Sequence, residues 1–197
     1  MTPVILASQS ASRAAVLAGA GVAFEAAPSG VDEDDLKADL LARGVGPDGI
    51  ARVLADAKAV AVSATHSGLV IGADQTLDLD GVLYDKASSL AEARERLLIF
   101  RARSHKLHAA VTVARDGAVI WRCLQTSNLA MRSFSDAFLD DYLALEGEAI
   151  LGSVGCYRLE VPGVQLFETI EGDYFAILGL PLLGLLDLLR REGALAA

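Results

Sequence analysis

Apolar and polar positions along this chain follow two rhythms. Short unbroken apolar runs mark buried strands at Val4-Ile-Leu-Ala7 and Leu69-Val-Ile71. Further strands are expected around Val22–Ala26 and over Gly163–Thr169. Two long strands, about 107–115 and 118–132, meet at Asp116-Gly117, and Asp80-Gly81 turns a hairpin into Val82-Leu-Tyr84. Elsewhere the helical period takes over. Ile50, Val53, Leu54, Ala57 and Ala61 share one helical face. A helix carrying Val16 and Leu17 closes at Gly19 and Gly21, and Asp32–Leu41 reads as an acidic helix. Ser89 and Glu92 form a capping box, and Ser135 opens a helix with Phe138, Leu139, Tyr142 and Leu143 on one face. A Leu-rich helix over 181–191 ends the pattern, with Arg190 and Arg191 at its negative end and Gly193 beyond. Hairpins mixed with helices predict an α/β fold on a mixed sheet with flanking helices, not a strictly alternating parallel one.

Length and composition narrow this picture. The 197 residues suit one domain, and no loop is long enough to link independent units, so 1–197 is read as a single domain. With 53% apolar, 22% charged and only 6% aromatic residues, the core must be mostly Ala, Leu and Val. The net charge of −9 leaves no basic stripe for a sequence-independent grip on DNA or RNA, so no nucleic-acid partner is expected. Cys123 and Cys156 are too few for a disulfide framework and read as reduced core; His66, His105 and His108 form no metal motif. The most apolar stretch, Tyr174 to Leu186, contains Pro181 and falls short of the ~20 residues of a membrane span. With no leader-like start either, a soluble cytoplasmic protein is expected, with no membrane partner.

Candidate chemistry gathers at a few places. In Leu6-Ala-Ser-Gln-Ser-Ala-Ser-Arg13 a strand runs into a hydroxyl-rich turn at a helix N-terminus. Free N–H groups and the helix dipole favour an anion there; Ser8, Ser10 and Ser12 add donors and Arg13 a fixed positive fork. A plain N-cap with spare serines gives the same pattern. In Ile71-Gly-Ala-Asp-Gln75 a buried run ends in two small residues and a carboxylate that could activate water near a metal. Asp74 shares strand parity with Asp78 and Asp80, which by pattern alone favours a solvent-facing side chain. Lys58 lies about 80° from the centre of its helix's apolar face, at a buried edge where a charge wants a partner, while Asp56 is expected to face outward. Lys86 follows the hairpin; either lysine could simply snorkel. The run Asp32-Glu-Asp-Asp35 reads as a solvated helix start, or as the source of a carboxylate for Mg²⁺. His105, in Arg103-Ser-His105, reads as a structural histidine. Tyr157, Tyr174 and Phe175 are of the type that packs a core or walls a base site.

Taken in order, Leu6-Ala-Ser-Gln-Ser-Ala-Ser-Arg13, Ile71-Gly-Ala-Asp74, the Lys86 segment, Arg103-Ser-His105 and Gly179-Leu-Pro-Leu182 resemble the Maf family of house-cleaning nucleoside triphosphate pyrophosphatases. The likeness spans residues 3 to 192. It implies an inosine-triphosphatase-like fold with two lobes around a cleft, and hydrolysis of a nucleoside triphosphate to monophosphate and pyrophosphate with a divalent cation, Mg²⁺ or Mn²⁺. Residue by residue it implies Asp74 as proton acceptor, Ser8, Ser10, Arg13, Lys58 and Lys86 around the phosphates, and Glu33 with Asp74 at the metal. It also suggests homodimers. At the positions that bear on base choice stand Ser12, Gln75 and Glu160. Gln75 and Glu160 are similar to the branch preferring 7-methyl-GTP, and Ser12 matches neither that branch nor the dTTP/UTP branch. Three alternatives stand beside this expectation: a dTTP/UTP pyrophosphatase, a nucleotide-binding regulator of septum formation without turnover, and an RNA-binding domain, the last at odds with the charge.

Overall fold

Seven strands form one mixed sheet in the computed structural model, which describes Met1 to Ala196. The chain runs β1 (Val4–Leu6), α1 (Ala11–Gly19), β2 (Glu25–Ala26), α2 (Glu33–Ala42), α3 (Pro47–Ser63), β3 (Leu69–Leu79), β4 (Val82–Tyr84), α4 (Leu90–Phe100), β5 (Ser104–Arg115), β6 (Ala118–Met131), α5 (Asp136–Glu146), β7 (Phe167–Glu171), α6 (Tyr174–Ile177) and α7 (Leu182–Arg191). The sheet order is β2-β1-β3-β5-β6-β7, with β4 also on β3. β1 is parallel to β2 and β3, and the other pairings are antiparallel.

The long strands β3 and β5 carry two cores. At one end, Leu69, Ile71, Ala73, Val111 and Val113 pack with Leu17 of α1 and Leu182, Leu185 and Leu189 of α7. At the other, Leu77, Leu79 and Leu107 pack with Leu97 and Phe100 of α4 and Leu139 and Tyr142 of α5. These are the two lobes. α3 covers the opposite face, where Ala51 and Ala55 meet Ala110. Gly72 lets α3 lie directly on β3: a Cβ there would overlap the Ala55 carbonyl oxygen and the Ala59 amide nitrogen.

The cleft follows from the pairing of β3. β1 pairs with β3 through Leu6 opposite Ile71, and β4 joins the same edge only at Leu77. The intervening residues of β3, which include Asp74 and Gln75, have no strand on that side. The chain leaves β1 at Ala7 just above this gap, at the carboxyl end of a parallel strand, where open sheets place their crevices.

Several elements differ from the sequence expectation for local reasons. Pairing of the second strand is confined to Glu25–Ala26. The segment expected as strand over 163–169 begins as a 3₁₀ turn, Pro162–Leu166, since Pro162 brings no N–H to a ladder; the strand starts at Phe167. Ser89 caps α4 by accepting from Glu92 N, but the Glu92 carboxylate accepts from Ser88 N (2.8 Å) and Ser88 Oγ (2.7 Å) in place of the reciprocal box contact. Asp56 does not face outward. It accepts hydrogen bonds from Thr112 Oγ1 (2.6 Å) on β5 and Arg122 Nε (2.9 Å) on β6, because α3 lies across several strands and its flank still meets the sheet. Both Asp-Gly hairpins are as expected, with Asp80, Gly81, Asp116 and Gly117 all at positive φ. Among the described residues no helix is long and apolar enough to cross a membrane.

Candidate active site

The gap beside β3 opens into a cleft of about 1440 Å³ between the lobes. Ser8, Ser10, Ser12, Arg13, Glu33, Lys58, Asp74, Gln75, Lys86 and Glu160, all singled out from the sequence, line it. They reach it from four elements, α1, α2, α3 and β3, and from loops.

Asp74 is the most buried carboxylate there, 7% exposed, against the solvent-facing expectation. Its side of β3 is roofed by α3. Lys58 on α3 is 4% exposed and donates from Nζ to Asp74 Oδ1 at 2.8 Å. The same Nζ stands 2.7 Å from Glu33 Oε2 at the start of α2. Of the acidic run, Asp32 is spent as the N-cap, accepting from Asp35 N at 3.0 Å, and Glu33 is the residue turned to Lys58. Burial pushes the Asp74 carboxyl above its ordinary range; Lys58 and Arg13 pull the other way without overcoming it. Such a carboxylate is a stronger base than one in water.

The α1 turn is an N-cap that also brings Ser8 and Arg13 together. Ser10 is an N-cap, accepting from Arg13 N at 3.4 Å. Ser8 and Arg13 are joined, Nη1 donating to Ser8 Oγ at 3.3 Å. Desolvation lowers the Arg13 pKa, opposed by Asp74 and Glu33, yet a guanidinium stays charged at neutral pH.

The C-terminal end of α6 completes the wall. Four consecutive carbonyls there accept from side chains across the cleft: Ala176 O (2.9 Å) and Ile177 O (3.0 Å) from Gln75 Nε2, Leu178 O from Ser12 Oγ (2.8 Å), and Gly179 O from Arg13 Nε (3.0 Å). Ala176 O also accepts from Gly179 N; the other three are carbonyls that the short helix leaves free, satisfied by α1 and β3. Gln75 is thereby fixed with Nε2 engaged, so its Oε1 is the part left to act as an acceptor. Glu160 and Lys86 line the cleft as exposed residues. Tyr157 lines the cleft, buried, with its hydroxyl 2.7 Å from His105 Nε2. Tyr174 is exposed away from the cleft and Phe175 packs against the α7 core. His105 is structural as expected, stacked on Phe100, and Cys123 and Cys156 are both free.

Residues 3–192 match the family described as Maf-like protein. The chain belongs to the Maf-like family. Among Maf-like relatives, a nucleoside triphosphate pyrophosphatase of Caulobacter vibrioides is 64% identical over 195 residues, covering 99% of this chain and 98% of that one. A 7-methyl-GTP pyrophosphatase of Rhizobium meliloti is 48% identical over 195 residues, 98% of each chain. One of Brucella suis is 44% identical over 190 residues, 96% of each.

The Maf-like cleft also holds two cations that the sequence reading passed over. Lys37 on α2 pairs with Asp85 beside Lys86 at 2.6 Å. Burial alone would lower its pKa, but the Asp85 contact, helped by Asp34 and Asp74, carries it above the ordinary value. Its signal was available: Lys37 lies four residues after Glu33, one helical turn along the same face. Arg158 is held by Glu146 Oε2 at 2.9 Å from Nε, a pairing that no local spacing announces.

Proposed function

We propose that this chain is a nucleoside triphosphate pyrophosphatase. A water molecule attacks the α-phosphorus, the bond from that phosphorus to the α–β bridging oxygen breaks, and nucleoside monophosphate and pyrophosphate leave. The observation that carries this reading is the placement of one buried, basic carboxylate, Asp74, in a cleft whose facing wall is a helix N-terminus with Ser8 and Arg13. Asp74 takes the proton of the attacking water. Ser8, the Ser10 turn, Arg13, Lys58 and Lys86 hold the phosphate oxygens, and positioning with charge neutralisation supplies most of the acceleration.

The donor set fits a hard divalent cation. Glu33 and Asp74 converge within 2.8 Å of one point, the Lys58 ammonium, and among the described residues no cluster of three ligating side chains exists. Mg²⁺ or Mn²⁺ is commonly held by one or two carboxylates, its other positions filled by waters and substrate phosphates. Bound there, the cation would neutralise the triphosphate and polarise the phosphoryl group. The chain's own residues supply the carboxylates and the base.

Base choice follows from which groups remain unspent. The Ser12 hydroxyl donates to Leu178 O and Gln75 Nε2 to two carbonyls, leaving acceptors, and Glu160 adds a carboxylate. An acceptor-lined wall favours a base presenting N–H donors or positive charge, as a 7-methylated guanine does, over the two carbonyls of thymine or uracil. We read the chain as one catalytic domain acting in the cytoplasm on a modified nucleotide. The deciding experiment is pyrophosphate release across ordinary, deaminated, oxidised and methylated triphosphates, with and without Mg²⁺. Metal-dependent turnover with a methylated-purine preference is expected. Tight nucleotide binding without turnover would make the protein a sensor instead, and preference for dTTP or UTP would overturn the base assignment.

A further inference from the structure

Lys58 occupies an unusual position for a phosphate-binding lysine. Its ammonium lies 2.8 Å from Asp74 Oδ1 and 2.7 Å from Glu33 Oε2, with a side chain only 5% exposed. α3, β3 and α2 thus deliver a cation, a buried carboxylate and a half-exposed carboxylate to one point. An ammonium is a compact charge with three donors, able to bridge two carboxylates much as a small metal ion does. Without it, Asp74 and Glu33 would repel each other at close range across a partly desolvated gap.

We propose that Lys58 is the resident counter-ion of the metal site: it neutralises Glu33 and Asp74 while no divalent cation is bound, competes with that cation for them, and is released toward the triphosphate when the cation arrives. This rests on the reading that Glu33 and Asp74 take the metal. A buried ammonium set loose from its carboxylates cannot simply turn to water, since the helix that carries it is packed on β3 at Gly72. The anion that can receive it is the polyphosphate. Cation alone must therefore evict an ammonium that has no new partner, and nucleotide alone finds Lys58 still engaged. The two together exchange partners with all charges paired. Their binding is positively coupled, and Lys58 is the element that couples them.

The test is Mn²⁺ binding, followed by paramagnetic relaxation and calorimetry, with no nucleotide present and then with a non-hydrolysable α,β-methylene triphosphate. Lys58→Met should bind Mn²⁺ alone more tightly than the wild type, by about tenfold, and should lose most of the enhancement that the analogue confers on the wild type. Lys58→Arg, which keeps the charge, should bind Mn²⁺ alone no more tightly than the wild type. Unchanged or weaker binding of Mn²⁺ by Lys58→Met overturns the proposal. Glu33→Gln and Asp74→Asn test the underlying site separately: if both hold Mn²⁺ as the wild type does, the metal reading itself is wrong, whatever Lys58 does. Should Lys58→Met fail to fold, the ¹⁵N signal of the Lys58 ammonium in the wild type serves in its place. It should shift on adding Mg²⁺ and shift again with the analogue; indifference to Mg²⁺ overturns the proposal.

Discussion

Arg13 Nε donates a 3.0 Å hydrogen bond to the carbonyl of Gly179, a residue 166 positions further along the chain. The bond fixes the guanidinium from behind, so that Nη1 turns to Ser8 and the cleft. The aim of a residue near one end of the sequence is thus set by the backbone near the other.

Gly179 sits at φ +94°, where an L side chain is strained, although a Cβ would meet Arg13 Nε only at an ordinary 3.6 Å. Gly179→Ala should therefore act through strain and not through a clash. A loss of about 1–3 kcal/mol in urea unfolding is expected. The shifted carbonyl should free Arg13, raising KM for the triphosphate more than it lowers kcat. Steady-state kinetics beside the unfolding curve would check both, and a normal KM would show that Arg13 is aimed by other contacts.

Gly72 is the second sensitive glycine, for the opposite reason. A methyl group there runs into the backbone of α3, which has no flexible end to yield. Gly72→Ala should cost about 3 kcal/mol, at the upper end for overpacking. Activity should fall even in molecules that remain folded, as Lys58 is lifted from Asp74. Thermal unfolding with pyrophosphate release at low temperature separates the two effects.

The architecture was legible in the sequence wherever one rhythm ran long enough. The hairpins at Asp80-Gly81 and Asp116-Gly117 and the helix starts at Ser89 and Ser135 are local chemistry, and all are found, although Glu92 turns to Ser88 instead of closing the box. Asp74 was misread by pattern because strand parity assumes one wet face, whereas α3 covers one face of β3 and α1 and α7 cover part of the other. A helical wheel misplaced Asp56 because it reports an angle but not the breadth of the sheet beneath. The grouping of the cleft residues was legible only through resemblance. Nothing in local spacing announces that α6 will offer its carbonyls to Ser12, Arg13 and Gln75.

His105 makes stability depend on pH. Burial holds its imidazole at about 4, against an ordinary 6.5. The unfolded chain takes up a proton as the pH falls through 6.5, and the folded chain refuses it until about 4. The contribution is complete above pH 6.5 and drains away toward pH 4, by up to about 3 kcal/mol. His105→Phe, placed among Phe100, Tyr157 and Phe167, should flatten the dependence over that window at some cost in stability at pH 7. Urea midpoints at several pH values between 4.5 and 7 provide the measurement.

Glu160 is exposed on the rim and bears on charge more than on fold. Glu160→Gln should leave unfolding unchanged within about 0.5 kcal/mol. It should lower kcat/KM for 7-methyl-GTP relative to GTP by about tenfold, the difference between a charge-assisted and a neutral hydrogen bond. An equal loss on both substrates would mean that the carboxylate does not read the base.

The tie between α1 and the α6 turn has a consequence for biosynthesis. The Ser8 turn leaves the ribosome early, but Leu178 and Gly179 follow only after β7. Until then Ser12 and Arg13 have no carbonyls to hold them and Gln75 is free to rotate. A nascent chain halted before Leu178 lacks these contacts, and with them the α7 leucines of one core. The site therefore takes its final form only after α6 has been made.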